Sequence, residues 1–310
     1  MSKTVVPLEI LKSLSDAIAE VIGKVSPSVV TVDCGMGRGS GVTWSPDGNI
    51  VTCNHVVHGH AVVKVGSRED RIVEAKVIGQ DPYSDVALLK IEGDGLPPIE
   101  LGDSGNLNVG QFVIALANPF NRKPSATTGI ITSVGGSIRS WRGMTIEDVV
   151  VTDARLSPGY SGGPLIDASG KMVGLSAAYV WSRGIAIPVN SVKKIVDGLV
   201  HGGRVRRGYL GIISNTIPLP EEIATQTEIS QDRGVLVLSV EADSPAKRAG
   251  LALGDVIIRF DEKPVTDVNE LPRLLTEEVI GKKAKLVILR AEKMTELTIT
   301  PKAAGVETDD

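Results

Sequence analysis

The chain has 310 residues, enough to bury a sizeable core without disulfide staples and to suggest about two domains. Hydrophobic residues make up 42% and charged residues 23%, ordinary proportions for a globular protein. A formal net charge of −4 supplies no basic face for a nucleic-acid partner, and no apolar run approaches the roughly 18 residues of a membrane span.

Residues 1–26 read as an N-terminal segment built on an amphipathic helix. Leu11, Leu14, Ile18, Ile22 and Val25 recur at spacings of three and four, and Gly23 and Pro27 mark the end. Packing on the body is the plain reading, and an oligomer contact is the sharper one. No basic head precedes an apolar core, so a cytoplasmic location is expected if Met1 is native. A trimmed secreted or envelope-associated form would read the same.

From Val29 the pattern becomes short β-branched runs separated by turn residues. Ser45-Pro46-Asp47-Gly48 and Asp167-Ala168-Ser169-Gly170 read as hairpin turns. A dozen such runs before Val189 argue for barrels or a sandwich. Val189–Val200 then reads as a helix, and residues 27–203 form one mainly β domain. Cys34 and Cys53 are the only cysteines, so no disulfide framework exists. Buried free thiols are the expected state, and a single bridge stays open. After a basic linker at 204–207, residues 207–302 read as a small α+β domain with helices at Ala246–Ala249 and Val268–Glu278. Residues 303–310 are an acidic tail.

The chemistry centres on Gly159-Tyr160-Ser161-Gly162-Gly163-Pro164. A serine hydroxyl is a weak nucleophile near neutrality and needs an adjacent base. His55, at the end of a strand, is the candidate base. Asp85, directly before the apolar run Val86-Ala87-Leu88-Leu89, is the candidate carboxylate that orients it. The amides of Gly159 and Ser161 are candidate oxyanion donors. The G-x-S-x-G letters also match the elbow of α/β-hydrolases. That elbow needs a helix after the serine and a downstream acid and histidine, whereas Pro164 and a hairpin follow here. The order His, Asp, Ser is that of chymotrypsin-like double barrels. His58 and His60 lack HExxH spacing, so they read as turn residues and no metal or other cofactor is expected.

Taken together, the segments G-S-G-V (39–42), T-C-N-H-V-V (52–57), S-D-V-A-L-L-K-I (84–91), L-G-D-S (101–104), A-N-P-F (117–120), P-G-Y-S-G-G-P-L (158–165) and G-I-A-I-P (184–188) resemble the HtrA (DegP-type) serine proteases. R-G-Y-L-G (207–211), S-P-A-K-R-A-G-L (244–251) and G-D-V-I (254–257) continue the resemblance through a PDZ domain. It implies a chymotrypsin-like double β-barrel followed by a PDZ domain, with His55, Asp85 and Ser161 as the triad. It further implies ATP-independent cleavage of unfolded or damaged proteins and a homo-oligomer, a trimer or a multiple of it. Ile185, Ala186 and Ile187 would line the primary specificity pocket. Tyr209-Leu210-Gly211-Ile212 would bind the carboxylate of a peptide C-terminus, with Leu271, Leu274 and Leu275 lining the groove or serving as plain core. Tyr160 stands where the family usually has asparagine, and a ring there is expected to reshape the loop or narrow access to it. A chaperone or peptide-binding scaffold with a latent protease site is the alternative function.

Overall fold

The computed structural model describes residues 8–35, 37–66, 71–93, 96–119, 124–139, 145–147, 149–180, 182–202, 208–219, 231–268, 270–291 and 293–303. The expected linker at 204–207 and the tail beyond residue 303 lie outside the described residues. The chain divides into two compact units, residues 1–205 and 206–310.

Helix α1 (Leu8–Val25) opens the first unit. Its Ile18, Val21 and Ile22 pack on the body, whereas Leu8, Leu11 and Leu14 are exposed. Six strands then close a barrel: β1 (Val29–Asp33), β2 (Arg38–Thr43), β3 (Asn49–Cys53), β4 (Val62–Gly66), β5 (Ile72–Asp81) and β6 (Val86–Ile91). Their order is β1-β2-β3-β6-β5-β4, with β4 pairing back to β1. One helical turn, α2 (Asn54–Val57), follows β3 directly. The second barrel uses β7 (Phe112–Ala117) and β8 (Ser125–Val134) and, after a small hairpin of β9 (Ser137–Arg139) and β10 (Thr145–Glu147), β11 (Val150–Thr152), β12 (Pro164–Asp167), β13 (Met172–Val180) and β14 (Arg183–Pro188). Its order is β11-β14-β13-β12-β7-β8. Helix α3 (Val189–Gly202) follows. The two turn clusters join β2 to β3 and β12 to β13 as hairpins.

The apolar runs are continuous because their strands are buried on both faces. Side chains alternate across a strand. In β6, Ala87 and Leu89 fill the first barrel while Val86 and Leu88 face a second cluster. In β7, Val113, Ala115 and Ala117 fill the second barrel while Ile114 and Leu116 face that same cluster. Val42, Val51, Leu175, Ile185 and Ile187 join it, and Val192, Val196 and Leu199 of α3 cover it. This cluster is the seam between the barrels. Each fully buried Leu or Ile stabilises the fold by about 1.5–3 kcal/mol.

Among the described residues, the second unit is a β-sheet with two short helices. β16 (Ile212–Pro218), β17 (Arg233–Val240), β18 (Val256–Phe260), β20 (Ala284–Arg290) and β21 (Lys293–Ile299) pair in that order, and β19 (Lys263–Pro264) pairs with β18. The short strands β15 (Gly208–Tyr209) and β22 (Lys302–Ala303) pair beside it. Helix α4 (Pro245–Arg248) starts from Ser244, whose hydroxyl accepts the Lys247 N–H as an N-cap. The helix expected over 268–278 is shorter. α5 (Glu270–Leu274) ends where the Leu275 carbonyl accepts the Gly208 N–H and the chain turns extended at Thr276. A separate 3-10 turn, Glu277–Val279, follows.

Asp255 is buried in this unit and accepts three hydrogen bonds of 2.7 Å, two from the Arg290 guanidinium and one from the Ala252 N–H. Replacing it with asparagine leaves the guanidinium, itself part-exposed, without its counter-charge. Asp255→Asn should destabilise the second unit by about 2–3 kcal/mol. Urea unfolding monitored by hydrogen exchange should register this loss in residues 206–310 and not in the barrels.

Candidate active site

His55 sits in α2, immediately after β3, and Asp85 sits immediately before β6. The two strands pair, with Cys53 opposite Val86, so the sheet register itself brings the histidine to the carboxylate. Three hydrogen bonds fix the contact. Asp85 Oδ2 lies 2.6 Å from His55 Nδ1, Oδ1 accepts the His55 N–H at 2.9 Å, and the Asp85 carbonyl accepts the Asn54 N–H at 3.0 Å. Asp85 is 2% exposed and takes a left-handed φ of 58°, sparsely populated for a residue with a side chain. Such strain is held only where surrounding contacts over-determine the backbone. The His55 side chain stays part-exposed.

Ser161, from the second barrel, meets β2 of the first. Its carbonyl accepts the Ser40 N–H of β2 at 2.9 Å. The next residue, Gly162, lies so close to the Ser40 carbonyl, the Thr52 hydroxyl and the Cys53 amide that a Cβ there would collide, and its φ is +85°. Glycine is required on both counts. The Ser161 hydroxyl donates to the Ala177 carbonyl at 3.2 Å. A hydroxyl is a rotor, and bonds of this kind commonly tighten only when a reacting partner is bound.

The hydrogen bonding of the loop 157–163 alternates. The peptide plane between Gly159 and Tyr160 is tied on both sides: its carbonyl accepts the Ser40 hydroxyl at 2.7 Å and its N–H donates to the Ser157 carbonyl at 3.0 Å. The plane between Ser161 and Gly162 is tied likewise, to the Ser40 N–H and to the Ser176 carbonyl at 2.7 Å. Left over are the Gly159 and Ser161 N–H groups, which donate to no described residue. Two unpaired amides beside a serine hydroxyl are what an oxyanion hole consists of.

Tyr160 does not narrow this face. Its ring turns inward, is 5% exposed and packs in the core of the second barrel with Val113, Ile131, Val150 and Leu156. Burial pushes its phenol up, partly offset by a hydrogen bond with Thr127. The aromatic side chain has left the substrate side because the barrel core offers it an apolar site.

Other expected residues fall as follows. Ile185, Ala186 and Ile187 are all buried; Ile185 and Ile187 point into the seam and Ala186 into the second barrel. In the second unit Leu210, Leu271 and Leu275 are buried in the core, whereas Ile212 and Leu274 are only partly buried against it. Gly211 takes a φ of +80°, and the Leu210 and Gly211 N–H groups donate to no described residue. The Tyr209 hydroxyl hydrogen-bonds the Glu241 carboxylate, which pushes the phenol up. Ser40 had no expected role; its signal was its place in G-S-G-V (39–42), one of the segments that carry the family resemblance.

The two cysteines are free. Cys53 Sγ, His55 and Asp85 lie within 4.8 Å of one another, a donor set of the kind zinc accepts. Yet Nδ1 and Oδ2 are committed to each other, and the thiol donates to the Ser176 carbonyl at 3.3 Å. Burial, reinforced by the Asp85 charge, pushes the Cys53 thiol well up, so little thiolate forms near neutrality. Iodoacetamide at pH 8 should therefore alkylate the part-exposed Cys34 and spare Cys53 until the protein is unfolded. Peptide mass mapping reads this directly, and equal labelling of both would contradict the buried placement.

A trypsin-like peptidase domain model matches residues 39–175 and a PDZ domain model matches residues 222–300. The chain is 38% identical over 260 residues to a probable periplasmic serine endoprotease DegP-like of Pseudomonas fulva, covering 81% of this chain and 53% of that protein. It is 34% identical over 276 residues to the putative serine protease HhoB of Synechocystis, covering 86% of this chain and 66% of that protein. The chain thus spans only about half the length of most of the curated relatives it matches. Among solved structures, the HtrA-type protease AlgW with tripeptide superposes with a TM-score of 0.74 at 32% identity, covering 92% of this chain and 96% of that one. AlgW with decapeptide gives 0.75 at 30%, covering 92% and 98%. Relatives named periplasmic overturn the cytoplasmic location expected from the N-terminus, because the residues with which a chain starts carry no weight against them. With both domain models matched in order and the fold shared along its length, the chain belongs to the HtrA family of serine proteases, a trypsin-like peptidase domain followed by one PDZ domain.

Proposed function

We propose that this protein is a serine endopeptidase that cleaves unfolded or damaged polypeptides without ATP, through an acyl-enzyme on Ser161. The observation that carries the proposal is the loop with its two unpaired amides, set at the seam where β3 and β6 hold His55 against Asp85. In this mechanism Ser161 Oγ attacks the scissile carbonyl and His55 takes its proton at the ring nitrogen not bonded to Asp85. Asp85 holds the tautomer and stabilises the imidazolium. The developing oxyanion is stabilised by the Gly159 and Ser161 N–H groups. His55 then protonates the leaving amine, and water, activated by the same base, releases the acyl group. The buried aliphatic strand at Ile185–Ile187 favours a small apolar side chain next to the cut bond.

The second unit is proposed to bind peptide C-termini. β16 lies at the edge of its sheet, pairing only with β17 among the described strands, and directly follows the loop with the unpaired Leu210 and Gly211 amides. An extended peptide can add there as a strand with its carboxylate on those amides. A periplasmic or envelope location and a homo-oligomeric assembly, a trimer or a multiple, belong to the same proposal. The alternative of a latent scaffold is not favoured, because the ring expected to disturb the loop is packed inside the barrel.

Ser161→Ala should lower the cleavage of an unfolded protein such as casein at least about a thousandfold. A fluorophosphonate should label wild type and not this variant. Cleavage that survives in Ser161→Ala, or wild type that takes no label, would sink the enzyme reading. For the second unit, a peptide with a free C-terminus should bind at least about tenfold more tightly than its amidated form. Fluorescence anisotropy measures the difference, and equal affinities would reject the carboxylate site.

A further inference from the structure

We propose that the Ser40 hydroxyl is a positioning residue for the oxyanion hole, through which the first barrel sets the direction of the Gly159 and Ser161 amides. The proposal rests on the serine-protease reading above and names a device within the same site.

Ser40 is fully buried in β2, on the opposite side of the seam from the loop it holds. It touches that loop twice. Its N–H donates to the Ser161 carbonyl at 2.9 Å and its hydroxyl donates to the Gly159 carbonyl at 2.7 Å. The two bonds fix the planes on either side of the Tyr160–Ser161 peptide. That middle plane carries the Ser161 N–H, and its carbonyl is held by the Gly163 N–H at 2.9 Å. The Gly159 N–H belongs to the plane before. Counted back from the fixed 159–160 plane, its direction depends on just two torsions, ψ and φ of Gly159. Glycine leaves both soft. Holding the carbonyl end supplies the fixed plane from which the Gly159 backbone, at a φ of +95°, aims the amide.

The hydroxyl is itself held in place. It accepts the Asn118 N–H at 2.9 Å, so its one proton is committed to Gly159. The Ser40 carbonyl accepts the Thr52 hydroxyl at 2.7 Å, three residues before His55. One continuous set of bonds therefore runs from the segment carrying the base to the amides that receive the oxyanion. Neither the barrel core nor the triad requires a hydroxyl at residue 40. Alanine would fill the same backbone position and keep the N–H bond to Ser161. What it would lose is the hold on Gly159, together with the acceptor for the buried Asn118 N–H.

The test uses the full chain, a chromogenic peptide substrate and a peptidyl boronic acid with a small aliphatic residue beside boron. The boronate forms a tetrahedral adduct on the serine and places an oxygen in the hole. Ser40→Ala should lower kcat about ten- to a hundredfold with KM changed less than about threefold, since the hole acts in the transition state. Its inhibition constant for the boronate should rise by the same factor as kcat/KM falls. Ser40→Cys, nearly isosteric but a weak donor, should fold and show an intermediate loss. Thr152→Val serves as the matched control. Thr152 is a fully buried hydroxyl in the second barrel that also donates once, to the Ile130 carbonyl at 2.8 Å, and accepts once, from the Ala154 N–H at 3.1 Å. It should keep wild-type kcat and boronate affinity despite a lower Tm. Unchanged kcat in Ser40→Ala or Ser40→Cys overturns the proposal, and so does a loss that Thr152→Val reproduces. Failure of the underlying reading has a different signature: wild type then shows no Ser161-dependent turnover and no boronate inhibition.

Discussion

Everything at the active site hangs on the apolar seam between the two barrels. His55 and Asp85 belong to one barrel and Ser161 to the other, and no short-range bond within either barrel could place them together. The strands facing the seam are β-branched or aliphatic on the seam side and equally apolar on the barrel side. Each barrel is therefore a rigid wall, and the contact of two rigid walls is defined by packing rather than by adjustable loops. Polar bonds across the seam are few, but they lie in surroundings that exclude water, where a bond is strong and an unmade one is costly.

The loop of Ser161 shows how a backbone can be prepared for chemistry without any charged group. Two alternate peptide planes are pinned, and the N–H groups of the plane before them and of the plane between them are left without partners among the described residues. The cost of those unpaired amides is offset by the core around them: the Tyr160 ring anchors the middle of the loop in the second barrel while Ser40 holds its carbonyls from the first. Asp85 extends the same principle. Its left-handed backbone is unfavourable in isolation, and the paired strands β3 and β6 hold it there so that both carboxylate oxygens meet His55.

Much of this was legible in the sequence, and the exceptions have physical causes. Strand positions and both hairpins followed from β-branched runs and turn residues, and motif order singled out His55, Asp85 and Ser161 as candidates. The direction of Tyr160 did not, because an aromatic residue in a loop has two apolar-compatible destinations and only the packed barrel chooses between them. Ser40 was silent for a related reason: its work is done by bonds to backbone carbonyls, which leave no partner to find in the sequence. The shortened α5 was missed because its stop signal is a backbone N–H from Gly208, more than sixty residues away. Leu271 and Leu275 could be core or groove at helical spacing, and burial alone distinguishes them.

The edge of β16, unpaired among the described residues, carries a second consequence. A row of unpaired backbone groups that accepts a peptide will accept any extended chain, including the same strand of another molecule. Ile212-Ile213-Ser214-Asn215-Thr216-Ile217-Pro218 contains no charge to discourage such pairing. What limits it is length: Pro218 closes the strand and cannot donate to a continuing ladder. Peptide capture and resistance to self-pairing are thus in tension along seven residues, and the proline marks where the compromise between them was struck.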